Sequence, residues 1–145
     1  MTPNSAESPF PDPKERTPAI LLVEDEVLLR LALSDYLQEC GFKVYEAGTA
    51  AEAIEILDSK EVIIDLVFSD VRMPGGMDGF GLASWVRAYR PGIPVILTSA
   101  DGKKSDAAKE LCENEPFFAK PYDVKRVVAR IRTLIDAGRK KGAGP

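Results

Sequence analysis

Hydrophobic and polar positions along the chain follow two rhythms that take turns. Ala19-Ile20-Leu21-Leu22-Val23 is an unbroken apolar run, the pattern of a strand buried on both faces of a parallel sheet. Behind it Leu29, Ala32, Leu33, Tyr36, Leu37 and Cys40 recur at steps of three and four until Gly41, predicting a helix with one buried face and a glycine stop. Lys43-Val44-Tyr45-Glu46-Ala47 alternates, as an outer strand does, and Thr49 with Glu52 forms a capping box for a helix turning Ala50, Ala53, Ile54 and Leu57 inward. Leu66-Val67-Phe68-Ser69-Asp70 reads as a third strand. After a Met73-Pro74-Gly75-Gly76 turn, Leu82, Trp85, Val86 and Tyr89 mark a third helix that ends before Pro91. Pro94 to Ser99 is a fourth strand, followed by a polar helix from Lys103 to Cys112 and a short strand at Phe117-Phe118-Ala119. Asp123 caps a last helix, whose Val124, Val127, Val128, Ile131 and Ile135 form one stripe.

Five strand–helix units without an internal repeat imply a parallel sheet with right-handed crossovers and helices on both faces. The simplest solution is an α/β fold of the flavodoxin-like, doubly wound kind: five parallel strands in the order 2-1-3-4-5, with five helices. Its ligand site lies beyond the carboxyl ends of the strands, at the switch between strands one and three. The 145 residues suit a single domain, expected over 19–137. Residues 1–18 hold Pro3, Pro9, Pro11, Pro13 and Pro18 among Ser, Glu and Asp and predict a disordered arm, while 138–145 predict a flexible basic tail.

Composition narrows the function. The chain is 45% hydrophobic and 29% charged, with a mean hydropathy of -0.11, as expected of a soluble globular protein. A net charge of -4 argues against a broad nucleic-acid surface, so direct DNA binding is not expected. No apolar run suits a membrane span and no secretory leader opens the chain, which predicts a cytoplasmic protein without a membrane contact. Cys40 and Cys112 lack ligand spacing and read as small apolar core residues. Histidine is absent, which removes the usual general base and any internal phosphohistidine. The chemistry is left to carboxylates, hydroxyls and lysine.

Those groups fall at strand ends. Glu24 and Asp25 follow strand one, Asp70 ends strand three, Ser99 ends strand four and Lys120 follows strand five, so all five are expected on one edge. Each alone is explained by a strand meeting solvent. Three acids together are not, because two like charges about 4 Å apart repel by about 4 kcal/mol at an effective dielectric of ~20. A divalent cation that keeps several waters, as Mg2+ does, would offset them. A carboxylate beside a metal and a lysine is suited to attack phosphorus, with the Ser99 hydroxyl able to donate to the transferred group. No glycine-rich nucleotide loop is present, so the expected phosphoryl donor is another protein or a small phosphate ester.

Four segments in order, Leu22-Val23-Glu24-Asp25-Glu26, Asp70-Val71-Arg72-Met73-Pro74 with Met77-Asp78-Gly79, Ser99-Ala100 and Lys120-Pro121, resemble the signature of response-regulator receiver domains over residues 19 to about 137. The resemblance implies that Asp70 is the phosphoacceptor and that Asp25 is a direct Mg2+ ligand. It implies further that Glu24 is a ligand directly or through water, that the Arg72 carbonyl is another, and that Lys120 contacts the phosphoryl oxygens. Ser99, with Thr98 as competitor, is the hydroxyl that moves toward the phosphoryl group, and Phe117 stands at the aromatic switch position where Tyr is frequent. Gly75-Gly76 lengthens the loop after Asp70, and Glu113-Asn114-Glu115-Pro116 replaces the small-residue entry to strand five. The implied partners are a sensor histidine kinase or phosphotransfer protein and a downstream protein, with a homodimer on phosphorylation left open. No effector domain is expected after Ile135. The downstream partner is expected on the face made by the polar helix, strand five and the final helix, which carries Lys103, Lys104, Lys109, Lys125 and Arg126.

Two other readings share some of these residues. A phosphatase of the haloacid dehalogenase type also uses a nucleophilic Asp, a hydroxyl, a Lys and Mg2+, but needs Asp-x-Asp on its first strand, whereas Arg72 stands two places after Asp70. A receiver-like scaffold would bind partners without being phosphorylated. The complete set of pocket residues argues against it.

Overall fold

The apolar run at 19–23 is an interior strand, second of five, in the sheet of a computed structural model of the protein, which describes residues 16–99 and 117–143. The strands are β1 (Ala19–Val23), β2 (Lys43–Ala47), β3 (Leu66–Asp70), β4 (Val95–Ser99) and β5 (Phe117–Ala119). All neighbours pair in parallel in the order β2-β1-β3-β4-β5, as the alternation of patterns predicts. The helices among the described residues are α1 (Val27–Glu39), α2 (Ala50–Asp58), α3 (Gly79–Tyr89) and α4 (Val124–Ala143). The polar helix expected from Lys103 to Cys112, with Lys104, Lys109, Ala100 and 113–116, lies outside the described residues, as do 1–15 of the proline-rich arm.

Alternate strand residues face opposite helix layers because side chains leave a strand on alternating sides. Leu21, Val23, Val67 and Leu97 pack with Ala53, Leu82 and Val86 of α2 and α3. Ile20, Leu22, Phe68 and Ile96 pack with Leu37 of α1 and Ile131 of α4. A strand filled on both sides has no polar face to show, hence the unbroken run in β1 and the mixed pattern of edge strand β2, where Lys43 and Glu46 are exposed.

Thr49 and Asp123 cap their helices as the sequence indicates, Asp78 adds a cap that the sequence pattern does not predict, and α1 starts without a side-chain cap among the described residues. Thr49 Oγ1 accepts from Glu52 N–H at 3.1 Å, but the Glu52 carboxylate reaches Gly48 N–H at 3.5 Å rather than returning to Thr49. Asp78 accepts from Gly81 N–H at 2.9 Å at the start of α3, and Asp123 from Lys125 N–H at 2.9 Å at the start of α4.

Some boundaries and faces differ from expectation. Ala32 is exposed, and the buried face of α1 is Leu33, Ser34 and Leu37, because the helix is rotated toward the 33/37 seam and a small side chain at 32 gives little pull against that. Tyr89 is 62% exposed; its ring lies 5.2 Å from that of Trp85 instead of entering the core. The final helix runs to Ala143, so 138–143 are helical and not a tail. Gly138 costs roughly 1 kcal/mol there, but the docked stripe ahead of it and the basic residues around it, good helix formers, carry the helix through. At the other end Arg16 is tied down, with Nη1 and Nη2 donating to the two oxygens of Asp65 at 2.7 and 2.8 Å. Asp65 Oδ2 also accepts from Ala19 N–H at 2.8 Å, and Arg139 Nη2 donates to the Arg16 carbonyl at 2.6 Å.

Candidate functional site

The sheet register brings the strand ends together. Val23 pairs with Ser69, Asp70 with Thr98 and Ser99 with Ala119, so Glu24, Asp70, Ser99 and Lys120 lie close to one level across four strands. Backbone hydrogen bonds extend that level past the strands: Val71 N–H to the Thr98 carbonyl at 2.8 Å, and Lys120 N–H to the Ser99 carbonyl at 2.8 Å. Carboxylate oxygens of Glu24, Asp25 and Asp70 lie within 4.8 Å of one another. Lys120 Nζ sits between two of these acids, 3.3 Å from Asp70 Oδ2 and 3.4 Å from Glu24 Oε1. Its peptide bond to Pro121 is cis.

The three acids occupy different environments. Glu24 is buried, at 3% exposure, while Asp70 is half-buried and Asp25 is exposed. Burial pushes the Glu24 carboxyl above its ordinary range and Asp70 adds to this, against the opposing pull of the Glu26 amide, which donates to Oε2 at 3.1 Å, and of Lys120. For Lys120 burial works to lower the pKa, but Asp70 and Glu24 outweigh it, so the ammonium is held above the ordinary lysine value and stays charged. Among the described residues, Lys120 pairs with Glu24 and Asp70, and the three carboxylates together outweigh its single charge. At this spacing each acid pair repels by about 3 kcal/mol at an effective dielectric of ~20.

The cluster opens into a cleft of about 580 Å³ lined by Asp25, Asp70, Arg72, Met73, Pro74 and Asp78. Oxygen donors of mixed burial, room for water and surplus negative charge fit a hard divalent cation better than a softer metal, which would favour Cys or His. The floor is rigid. A Cβ at Gly79 would collide with the Asp70 carbonyl oxygen and lie 2.7 Å from Val71 Cα, and Gly79 N–H donates to the Val71 carbonyl at 2.7 Å. Only glycine lets α3 begin this close to the acceptor strand. Ser69 Oγ holds the Asp70 carbonyl at 2.8 Å. Gly75 and Gly76, in the loop that follows cleft residues Met73 and Pro74, have φ of 93° and 82°, a conformation that favours glycine.

Ser99 and Thr98 are both buried at the end of β4, and Phe117 is half-buried against the α2/α3 layer. The expected residues Glu24, Asp25, Asp70 and Lys120 are thus one cluster, Arg72 lines its cleft, and Lys125 and Arg126 are exposed on α4. Sequence reasoning passed over Arg30, Ser69 and the exposed apolar side chains of α1, Val27, Leu28 and Leu31, with Leu28 at 77% exposure. Their signal was present only as apolar residues off the helix stripe and as a basic residue in the first turn after the acids.

The model of the response regulator receiver domain matches residues 20–132. Among curated relatives, the transcriptional regulatory protein DctD of Rhizobium meliloti is 34% identical over 116 residues, covering 79% of this chain and 25% of its own. The sensor kinase CckA of Brucella abortus is 35% identical over 120 residues, 81% of this chain and 12% of its own. An uncharacterized transcriptional regulatory protein of Bacillus subtilis, YbdJ, is 30% identical, and the match covers 81% of this chain and 50% of that protein. The chain therefore spans half or less of these relatives. Of solved structures, a CheY-like receiver domain from Methanospirillum hungatei superposes with a TM-score of 0.77 at 22% identity, over 87% of this chain and 99% of that one. The response regulator TrrA of Thermotoga maritima, solved with Mg2+ and BeF, does so with a TM-score of 0.70 at 26% identity, over 81% and 98%. No described helix is long and apolar enough to cross a membrane. With a matched stretch that runs from β1 into α4 and a fold shared over 81–87% of the chain with these structures, this chain belongs to the response regulator receiver domain family of two-component systems.

Proposed function

We propose that Asp70 accepts a phosphoryl group in a two-component relay, with Mg2+ held by Asp70, Asp25, Glu24 and the Arg72 carbonyl. The observation that carries this reading is the clustering of charge: three acids lie within 4.8 Å of one another at the mouth of an open cleft, Lys120 pairs with two of them, and a cation that offsets the acids lets an anionic phosphoryl group approach. The relative solved with Mg2+ and BeF supports the same use of the cleft. Mg2+, when bound, supplies positive charge against the equatorial oxygens during transfer.

The remaining work belongs to the chain itself. Asp70, half-buried on a floor fixed by Gly79 and Ser69, is the nucleophile. Lys120, already within reach of Asp70, moves its ammonium to the incoming oxygens. Ser99 turns toward the modified Asp70 and Phe117 follows, which biases an equilibrium in the surface around β5 and α4, the docking face for a downstream protein. Without a histidine of its own, the chain takes its phosphoryl group from a histidine kinase or phosphotransfer protein. Val27, Leu28 and Leu31, exposed on the helix that starts beside Asp25, form part of that donor's contact.

The test is intact mass after incubation with acetyl phosphate and Mg2+. One phosphoryl adduct is expected on the native chain and none on Asp70→Asn or after chelation; an adduct that persists in Asp70→Asn refutes the assignment. Beryllofluoride with Mg2+ should move amide resonances at Phe117 and α4 as well as around Glu24, Asp25 and Asp70. Shifts confined to the pocket would refute the switch.

A further inference from the structure

We infer that Arg30 is a positioning residue for the carboxylate cluster, holding the corner between β1 and α1 so that Asp25 is aimed into the cleft; the inference rests on the reading of that cluster as a Mg2+ site. Arg30 stands in the first turn of α1 and reaches back along it. Its Nη1 donates to the Glu24 carbonyl oxygen at 2.8 Å, and its Nε donates to Glu46 Oε1 on β2 at 3.2 Å. Glu24 N–H donates to the Ala47 carbonyl at 3.0 Å. Both polar atoms of the Glu24 backbone are therefore tied to β2, the amide directly and the carbonyl through the guanidinium.

That carbonyl belongs to the planar peptide group joining Glu24 to Asp25, so fixing its direction fixes the plane from which Asp25 departs. Buried Glu24 is also held through its own carboxylate, by Lys120 and the Glu26 amide. Asp25 is exposed and depends on its backbone for its aim. The guanidinium slot is closed on its far side by Gly48, where an added Cβ would lie 3.1 Å from Arg30 Nη1. Lysine at 30 would lack the planar fork that spans a carbonyl and a carboxylate together.

Position and field predict opposite signs. If Arg30 acted only as a nearby positive charge, removing it would tighten Mg2+ binding, because cations repel. Its pairing with Glu46 already offsets that charge, so what it contributes is geometry, and removing it should weaken the site.

The experiment is a calorimetric Mg2+ titration of the full metal-free chain, native and Arg30→Ala, Arg30→Lys and Gly48→Ala, each with a melting curve. Arg30→Ala should weaken Mg2+ binding about tenfold, the usual scale for a residue that orients a ligand, and Arg30→Lys should restore only part of it. Unchanged affinity with a lowered melting temperature would mean a merely structural arginine, and tighter binding would mean a field effect; either overturns the inference. Should Arg30→Ala fail to fold, Gly48→Ala keeps the arginine but crowds Nη1. Weaker Mg2+ binding there supports the inference and native affinity overturns it. A native chain that takes up no Mg2+ would instead overturn the reading of the cluster itself.

Discussion

The central strands meet carboxylates at both ends of the sheet, and the two ends treat them oppositely. At the amino end Asp65 is matched: Arg16 holds both its oxygens, Ala19 N–H adds a third bond, and Arg139 closes over the Arg16 carbonyl. At the carboxyl end Glu24, Asp25 and Asp70 crowd together, and among the described residues Lys120 pairs with Glu24 and Asp70. A carboxylate whose bonds are complete is a fastening, because nothing further is gained by bringing a ligand to it. A cluster left with surplus charge is poised to bind, and its stability depends on what it binds.

The largest expected contrast is in metal affinity. Asp25→Ala should weaken Mg2+ binding about a hundredfold and Glu24→Ala about tenfold if, as proposed, the shorter acid facing the cleft is the direct ligand, while Asp65→Ala should leave it unchanged. Calorimetric titration checks this; equal losses at 24 and 25 would contradict the ranking. Next comes stability. Asp65→Ala strands a guanidinium and a backbone N–H and should cost about 2 kcal/mol in urea denaturation, with phosphorylation by acetyl phosphate intact. Loss of phosphorylation in a folded Asp65→Ala would erase the distinction between the two ends.

The smallest effect has the opposite sign. Burial holds the Glu24 carboxyl above its ordinary value of 4.5, so the folded chain binds that proton more tightly than the unfolded one. Its ionisation therefore removes stability as pH rises from the ordinary value through the raised one. In chelator at pH 7, Glu24→Gln should melt slightly higher than the native chain, and the gain should vanish as pH falls below 4.5. A lower melting temperature for Glu24→Gln at pH 7 would show that the Lys120 contact outweighs the repulsion and burial.

The sheet and its order were legible because each strand stated its burial in its own letters: the apolar run at 19–23, the alternation at 43–47 and the acid at the end of 66–70. The acids and Lys120 were legible because doubly wound sheets gather ligands at strand ends. What escaped was whatever depends on how separate elements dock. Arg30 gains its part only where α1 leans against β2, and Arg16 only where the chain entry meets the start of β3. The same is true of residues 138–143, whose glycine and basic composition suggests a tail until α4 is seen packed on the sheet. Tyr89 fits the helical period but falls on the last turn, where periodicity no longer guarantees a core to enter.

Lys120 also governs how readily the carboxyl end gives up what it binds. Its ammonium already occupies oxygens of Glu24 and Asp70 that an incoming cation would seek, so metal and lysine are rivals for the same lone pairs. A rival built into the chain lowers the apparent affinity for the ion, yet it also receives the acids when the ion departs, so that release does not leave them bare. On the proposed reading, exchange would thereby be eased in both directions, as suits a site that is loaded and reset many times.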